Sequence, residues 1–191
     1  MTVFQTERLT LRRLDSGDAD FIYALTNDPD WLRWIGDRGI RTREDALAYI
    51  ENGPVAMYAQ VGFGLYAVVP KEGGAPIGMC GLLKRAWLDD ADIGFAYLPR
   101  FRGAGYALEA AAGTLEYARS TLGIERVLAI VSPGNAASIR LLEKLGMTFE
   151  RAARAPGEES DVLVYGRSLR GATEASESAT LRPPPTPETR S

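Results

Sequence analysis

The chain contains no histidine and a single cysteine, Cys80, in 191 residues. Without histidine there is no Ser-His-Asp or Cys-His catalysis and no histidine-ligated metal. One thiol forms no internal disulfide and no cysteine cluster for zinc or iron–sulfur, which is the cysteine usage of a reducing cytoplasm. A cytoplasmic protein with no metal is therefore expected. Long apolar runs are missing too. No stretch approaches a membrane span, and the N-terminus, with Glu7, Arg8, Arg12 and Arg13, lacks the apolar centre of a signal peptide. Neither charge dominates: 22 Lys and Arg stand against 25 Asp and Glu, a net charge of −3. Nothing in bulk composition draws the chain to nucleic acid or to an anionic membrane. Carboxylates, hydroxyls, backbone amides and a borrowed cofactor are left to carry any chemistry.

What is present is one domain's worth of chain, 46% hydrophobic, enough for a single core. Residues 1–169 read as the folded domain. Residues 170–191 run through GATEASESAT to RPPPTPETR with Leu181 as their one large apolar residue. So little apolar surface does not offset the entropy of ordering, and a disordered tail is expected.

Strand and helix signals alternate along the domain. Residues 8–12 alternate with period two, as a half-buried strand does. Asp18 and Asp20 offer caps for a helix to about Asn27, stopped at Asp28-Pro29. Thr42-Arg43-Glu44-Asp45 resembles a capping box opening a helix to about Asn52, with Gly53-Pro54 as its end. Residues 65–69 and 77–83 form β-rich runs around a Lys71-Glu72-Gly73-Gly74 turn. Residues 93–98 make another strand. Residues 107–122, rich in Ala and Leu, predict a helix closed by Gly123. Residues 127–131 are wholly apolar, the mark of a strand at the sheet centre. Asn135 caps a helix to Leu145 closed by Gly146, and residues 147–149 and 162–166 finish as an antiparallel pair. The order β-α-α-β-β-β-α-β-α-β-β predicts an α/β protein, a mixed twisted sheet with helices on both faces.

The chemistry concentrates in residues 92–107, where a strand runs through Arg100, Arg102, Gly103 and Gly105 into the long helix. Two glycines let the backbone approach a ligand closely, and free N–H groups at a helix N-terminus bind phosphate without a side chain. A dinucleotide fingerprint would need glycine at Leu108, and its loop should follow the first strand, which disfavours an oxidoreductase. No Walker loop exists. A plain tight turn at Gly103 and Gly105 is the bland alternative, and the two flanking arginines weigh against it.

Arg100-x-x-Gly103-x-Gly105 resembles the R/Q-x-x-G-x-G/A motif of the GNAT superfamily of N-acetyltransferases. The flanking DIGFAYLP and the later segment from Asn135 through Ser138 to Phe149 resemble its ribosomal-protein N-terminal alanine/serine acetyltransferase branch. The likeness spans roughly residues 6–167. It implies the GNAT fold, with two strands that start side by side and splay, and acetyl-CoA as cosubstrate. By that resemblance Phe95, Ala96, Tyr97 and Leu98 meet the pantetheine arm. Arg100, Arg102, Gly103, Ala104, Gly105, Tyr106 and Ala107 wrap the pyrophosphate. Asn135 and Ser138 also contact the cofactor. Asp92 stands where many relatives have a glutamate base acting through water, with a surface strand-end carboxylate as its alternative. Leu142 occupies the place of the usual tyrosine acid, so Ser138 is the expected donor to the departing sulfur.

The acceptor pocket is expected from the two early helices. Trp31, Trp34 and Trp87, with Tyr58 and Phe63, are candidate walls, against the alternative of plain core packing. Asp28, Asp30 and Asp37 are candidates to attract a cationic amine. Glu109 and Glu116 read as solvated or salt-bridged, and Cys80 as a buried small residue. The expected activity is acetyl transfer to a primary amine by direct attack in a ternary complex, on a protein N-terminus or on an antibiotic or metabolite amine. A non-catalytic CoA-binding module is the second class. The chain is read as a monomer or homodimer with no nucleic-acid or membrane partner.

Overall fold

The computed structural model describes residues 1–157 and 160–170, so the expected tail from residue 171 onward lies outside the described residues. Eight strands form one sheet: β1 (Thr2–Gln5), β2 (Leu9–Arg13), β3 (Leu65–Pro70), β4 (Gly78–Leu83), β5 (Ala91–Tyr97), β6 (Arg126–Val131), β7 (Thr148–Arg154) and β8 (Asp161–Ser168). Their spatial order is β1-β2-β3-β4-β5-β6-β8-β7. Every neighbouring pair is antiparallel except β5 and β6, which are parallel. That exception follows from the crossover helix α5 (Tyr106–Ser120) between them, since parallel neighbours need such a connection. This is the mixed α/β architecture the sequence predicts.

Helices cover both faces. On one, α5 and α6 (Ala136–Lys144) bury Ala110, Ala111, Leu115, Ala118 and Leu142 against Leu9, Leu11, Val68, Ile93 and Val127. Ala111, Leu115 and Ala118 fall four and three apart, and with Ala110 and Thr114 they make one stripe of mostly small residues that lies close on the sheet. On the other face, α1 (Ala19–Thr26) and α3 (Arg43–Ile50) set Ile22, Leu25 and Ile50 on Ala67 and Met79. A smaller cluster of Leu88, Leu128 and Val164 caps that side of β6 and β8.

Local signals explain the helix starts. Thr42 accepts a hydrogen bond from the Asp45 N–H at 3.1 Å while Asp45 accepts from the Thr42 N–H at 2.9 Å, the expected capping box. Three elements depart from expectation. Strand β1 was not predicted, being a short edge strand without a clear alternating pattern. Asp28-Pro29 does more than stop α1: Asp28 accepts from the Asp30 N–H at 3.2 Å and opens α2 (Pro29–Trp34). Proline suits the first helical position because its missing N–H has no intrahelical partner there. Nor does Gly53-Pro54 end the helix. The chain widens into a π turn (Glu51–Val55) and continues as α4 (Ala56–Val61), closed by Gly62 at φ 83°. The wider turn makes room for the Pro54 ring and for the hydrogen bond it cannot donate.

One contact sets how closely β3 and β4 approach. A Cβ on Gly81 would stand 2.1 Å from the Gly64 carbonyl oxygen, which is backbone and does not yield. Gly81→Ala is therefore expected to destabilise by about 2–3 kcal/mol, lowering Tm by roughly 4–12 °C. Thermal unfolding monitored by circular dichroism checks this, and an unchanged Tm would contradict the close approach.

Candidate active site

The parallel pair β5–β6 is matched only at Ala91↔Val127 and Asp92↔Leu128. Beyond it, β5 stays bonded to β4 as far as Tyr97, and β6 to β8 as far as Val131. The outer edges hold while the inner edges part, leaving a V between the strands. Backbone groups of Ile93, Gly94, Phe95, Ala96 and Tyr97 line its β5 side. Along this wall the side chains alternate: Phe95 and Tyr97 join the α5 cluster, and Ala96 and Leu98 join the α1–α3 cluster.

From the tip of β5 the chain turns through Pro99–Phe101 into the glycine loop. Gly103 and Gly105 sit at φ +76° and +82°, a region that side chains with a Cβ rarely adopt. Among the described residues no acceptor meets the N–H groups of Gly103, Ala104, Gly105, Tyr106, Ala107 or Leu108, and the first loop-to-helix bond runs from Glu109 to Gly105. These donors and the helix dipole converge on one place that suits an anion. Arg100 is exposed beside the loop, 4.8 Å over the Phe101 ring.

Arg102 has another task. Its Nε donates to the Tyr97 carbonyl at 2.8 Å, one terminal nitrogen meets Asp28 at 2.5 Å, and the other meets Asp30. The buried Asp28 needs a cation, and Arg102 supplies it. The guanidinium is thus committed to carboxylates instead of reaching for phosphate. By the same contacts Asp28 and Asp30 are not free to draw in a cationic amine. Asp37 likewise pairs with Arg41, which with the Gly39 N–H holds its carboxyl down at about 2. Arg8, which the sequence does not single out, braces the loop. It donates to Glu109 at 2.6 Å and to the Ala104 carbonyl at 3.1 Å, and stacks 4.6 Å over Tyr106. Glu109 is salt-bridged, as expected.

Across the V, Asn135 caps α6 by accepting from the Ser138 N–H at 3.1 Å, while the half-buried Ser138 hydroxyl has no protein partner among the described residues. Trp34 closes this side. The Ser132 hydroxyl donates to its carbonyl at 3.2 Å, and its ring lies 3.3 Å from where a Gly134 Cβ would stand. Of the three tryptophans, Trp34 abuts the loop that carries Asn135. Trp87 is half-buried over Leu128 and Ile130. Trp31 is core, 5% exposed, with its indole N–H buried and unpartnered. Tyr58 stacks on Tyr66 at 5.4 Å and binds backbone of Leu14, so it too is core. Phe63 lines a separate open groove of about 760 Å³ with Lys84, Gly123 and Arg126.

Asp92 occupies the last matched position before the strands part. It is 1% exposed, which removes the surface-carboxylate alternative, and both its oxygens accept from Arg85 Nε at 3.0 and 3.1 Å. Burial pushes its pKa up, and Arg85 opposes that shift. Cys80 is fully buried with its thiol 3.4 Å from the Thr114 hydroxyl, and burial pushes its pKa up to about 12.

The model of the acetyltransferase (GNAT) domain matches residues 8–148. The chain belongs to the GNAT acetyltransferase family. An uncharacterized N-acetyltransferase, YoaA of Bacillus subtilis, is 30% identical over 155 residues, 80% of this chain and 86% of the relative. A solved GNAT-family acetyltransferase from Bacillus anthracis superposes with a TM-score of 0.74 at 25% identity, covering 88% of this chain and 99% of that one. Two solved structures share the fold alone. The ribosomal-protein-S5-alanine acetyltransferase of Vibrio fischeri has a TM-score of 0.72 at 20% identity over 87% of this chain and 96% of its own. The spermidine N-acetyltransferase of Vibrio cholerae, in complex with CoA and spermine, has 0.70 at 21% over 85% and 96%. The resemblance read from the glycine loop is thereby confirmed at the level of the family.

Within this GNAT protein, Cys80 has no thiolate to act as nucleophile. Burial pushes the thiol from an ordinary value near 9 up to about 12. The folded state therefore holds the proton more tightly, and stability falls as pH rises between those values. At pH 8 the native protein is expected to resist a thiol-specific chromogenic reagent and to label fully in denaturant. Rapid native labelling would overturn the burial.

Proposed function

We propose that this GNAT protein transfers an acetyl group from acetyl-CoA to a primary amine by direct attack in a ternary complex. The observation that carries the reading is the parting of β5 and β6 after Asp92, with a loop of unpartnered N–H groups at the tip of β5. A narrow extended arm fits the V and can pair with the inner edge of β5, while a pyrophosphate fits the loop donors at residues 103–108 and Arg100. Acetyl-CoA, when bound, supplies an activated thioester.

The chain's own residues do the rest. The edge of β5 from Phe95 to Tyr97, with Leu98 after it, aligns the arm through main-chain groups, and Asn135 and Ser138 face it from the start of α6. An attacking amine must be neutral, although free amines hold their proton to about pH 8 or 10. Asp92, its pKa raised by burial, is the acceptor for that proton through water. Ser138 offers its hydroxyl to the leaving sulfur, which ends as a thiol. The new bond is carbon–nitrogen, and the bond broken is carbon–sulfur. Both a protein N-terminus and a small-molecule amine suit this machinery.

A screen of amines and peptides for CoA release tests the proposal. Release with at least one amine supports it. Tight acetyl-CoA binding without release from any amine would leave only a CoA-binding module.

Ser138→Ala is expected to lower kcat about 10- to 100-fold with little change in acetyl-CoA affinity. Unchanged single-turnover rates would remove the serine from that role. Gly103→Val should weaken acetyl-CoA binding about tenfold or more by straining a φ of +76°. Calorimetric titration reads this, and unaltered affinity would argue against the loop.

A further inference from the structure

The candidate carboxylates of the acceptor side are occupied, and arginine donors are left over. Asp28 and Asp30 are held by Arg102, and Asp37 by Arg41. Arg85 binds Asp92 through Nε alone, so its two terminal NH₂ groups make no hydrogen bond among the described residues. The Arg85 side chain is 31% exposed. It is a planar fork anchored at its base on Asp92, with its outer donors left over. Arg33 stacks 4.3 Å over Trp34, the residue that touches the Ser132-to-Gly134 loop, and Arg38 follows shortly after; neither has a carboxylate partner among the described residues. Tyr49 of α3, half-buried in the α1–α3 cluster, has a hydroxyl with no hydrogen bond among the described residues. Burial pushes the pKa of that hydroxyl up, and the positive charges of Arg38 and Arg85 pull it the other way.

A fixed guanidinium fork, a second cation and a free hydroxyl over an apolar wall recognise a carboxylate, which takes two parallel N–H donors from arginine. They repel a polyamine. We propose that the acceptor carries a carboxylate close to its amine, bound by the terminal nitrogens of Arg85 with Arg38 and Tyr49. Because Arg85 touches Asp92, the bound carboxylate lies near the point where the amine gives up its proton. The acceptor is then an amino acid, or a peptide whose first residues are acidic. This rests on the acetyltransferase reading above and narrows its substrate class.

Two arms separate the sources. CoA release is measured with free amino acids against their carboxamides, and with peptides bearing Asp or Glu against Asn or Gln at the first two positions, spermidine serving as the cationic control. The acid of at least one pair is expected to exceed its neutral partner at least about tenfold in kcat/KM, and whichever arm shows this names the source. Arg38→Gln and Arg85→Lys should cut that preference to less than about threefold, mainly by raising KM for the acid. The lysine keeps a cation beside the buried Asp92, so the fold is preserved while the fork is lost. Equal rates for acid and amide, faster turnover of spermidine, or an unchanged preference in both variants would overturn the proposal.

A binding measurement keeps the two readings apart. N-acetyl amino acids and their amides are titrated calorimetrically into CoA-saturated protein. If no amine releases CoA yet the acid binds at least tenfold tighter than the amide, with the difference lost in Arg85→Lys, the carboxylate site stands and the transferase reading falls. Turnover without any acid preference leaves the transferase and removes the site.

Discussion

The short parallel match between β5 and β6 is the constraint on which the site depends. Two paired positions hold the halves of the sheet together, and past Asp92 each strand keeps only its outer partner. A sheet normally satisfies both edges of a central strand, because a buried unpaired N–H or carbonyl costs free energy. Here the inner edges give up that pairing while clusters on both faces keep the strands in place. The unpaired edge is thus held open by packing, and its backbone groups are left without a strand partner. Helix α5 serves both halves of this arrangement: its alanine stripe secures β4 and β5, and its N-terminus faces the opening.

Arginine is the second organising element. Arg12 holds the buried Asp18, Arg102 holds Asp28, Arg85 holds Asp92, and Arg8 holds Glu109. Each carboxylate needs a cation that approaches from a distance, and the planar fork leaves donors over after the first contact. Arg8 spends its extra donor on the Ala104 carbonyl and Arg102 on the Tyr97 carbonyl, so both tie carboxylates to the glycine loop. At Arg85 the two terminal nitrogens are left over among the described residues. A net charge of −3 conceals a local pairing in which the buried carboxylates Asp18, Asp28 and Asp92 each meet an arginine.

Much of this was legible in the letters. Alternation in residues 8–12, the Thr42–Asp45 capping box, the alanine-rich helix and the wholly apolar residues 127–131 all became the expected elements, because each is decided by neighbours within a few positions. The loop around Gly103 and Gly105 was legible for the same reason: a positive φ followed by a helix start is a local event. The elements that went unpredicted, β1, α2 and α4, are short and take their stability from packing. A proline reads as a stop unless the surrounding structure accepts it, as it does at Pro29 and Pro54.

Side-chain partners separated in sequence were not legible. Nothing in the sequence tells that Arg102 turns from the phosphate loop to Asp28 and Asp30, since those residues lie more than 70 positions away. Nor does it tell that Arg8 reaches Glu109, that Trp31 is core while Trp34 meets the Gly134 loop, or that Arg85 covers Asp92. By itself the sequence determined the family, the order of the main elements and the absence of histidine chemistry, all of which follow from composition and local spacing. Only the tertiary structure decided which charges are paired and which remain available. Pairing depends on distances between strands and helices, and the fold alone sets those.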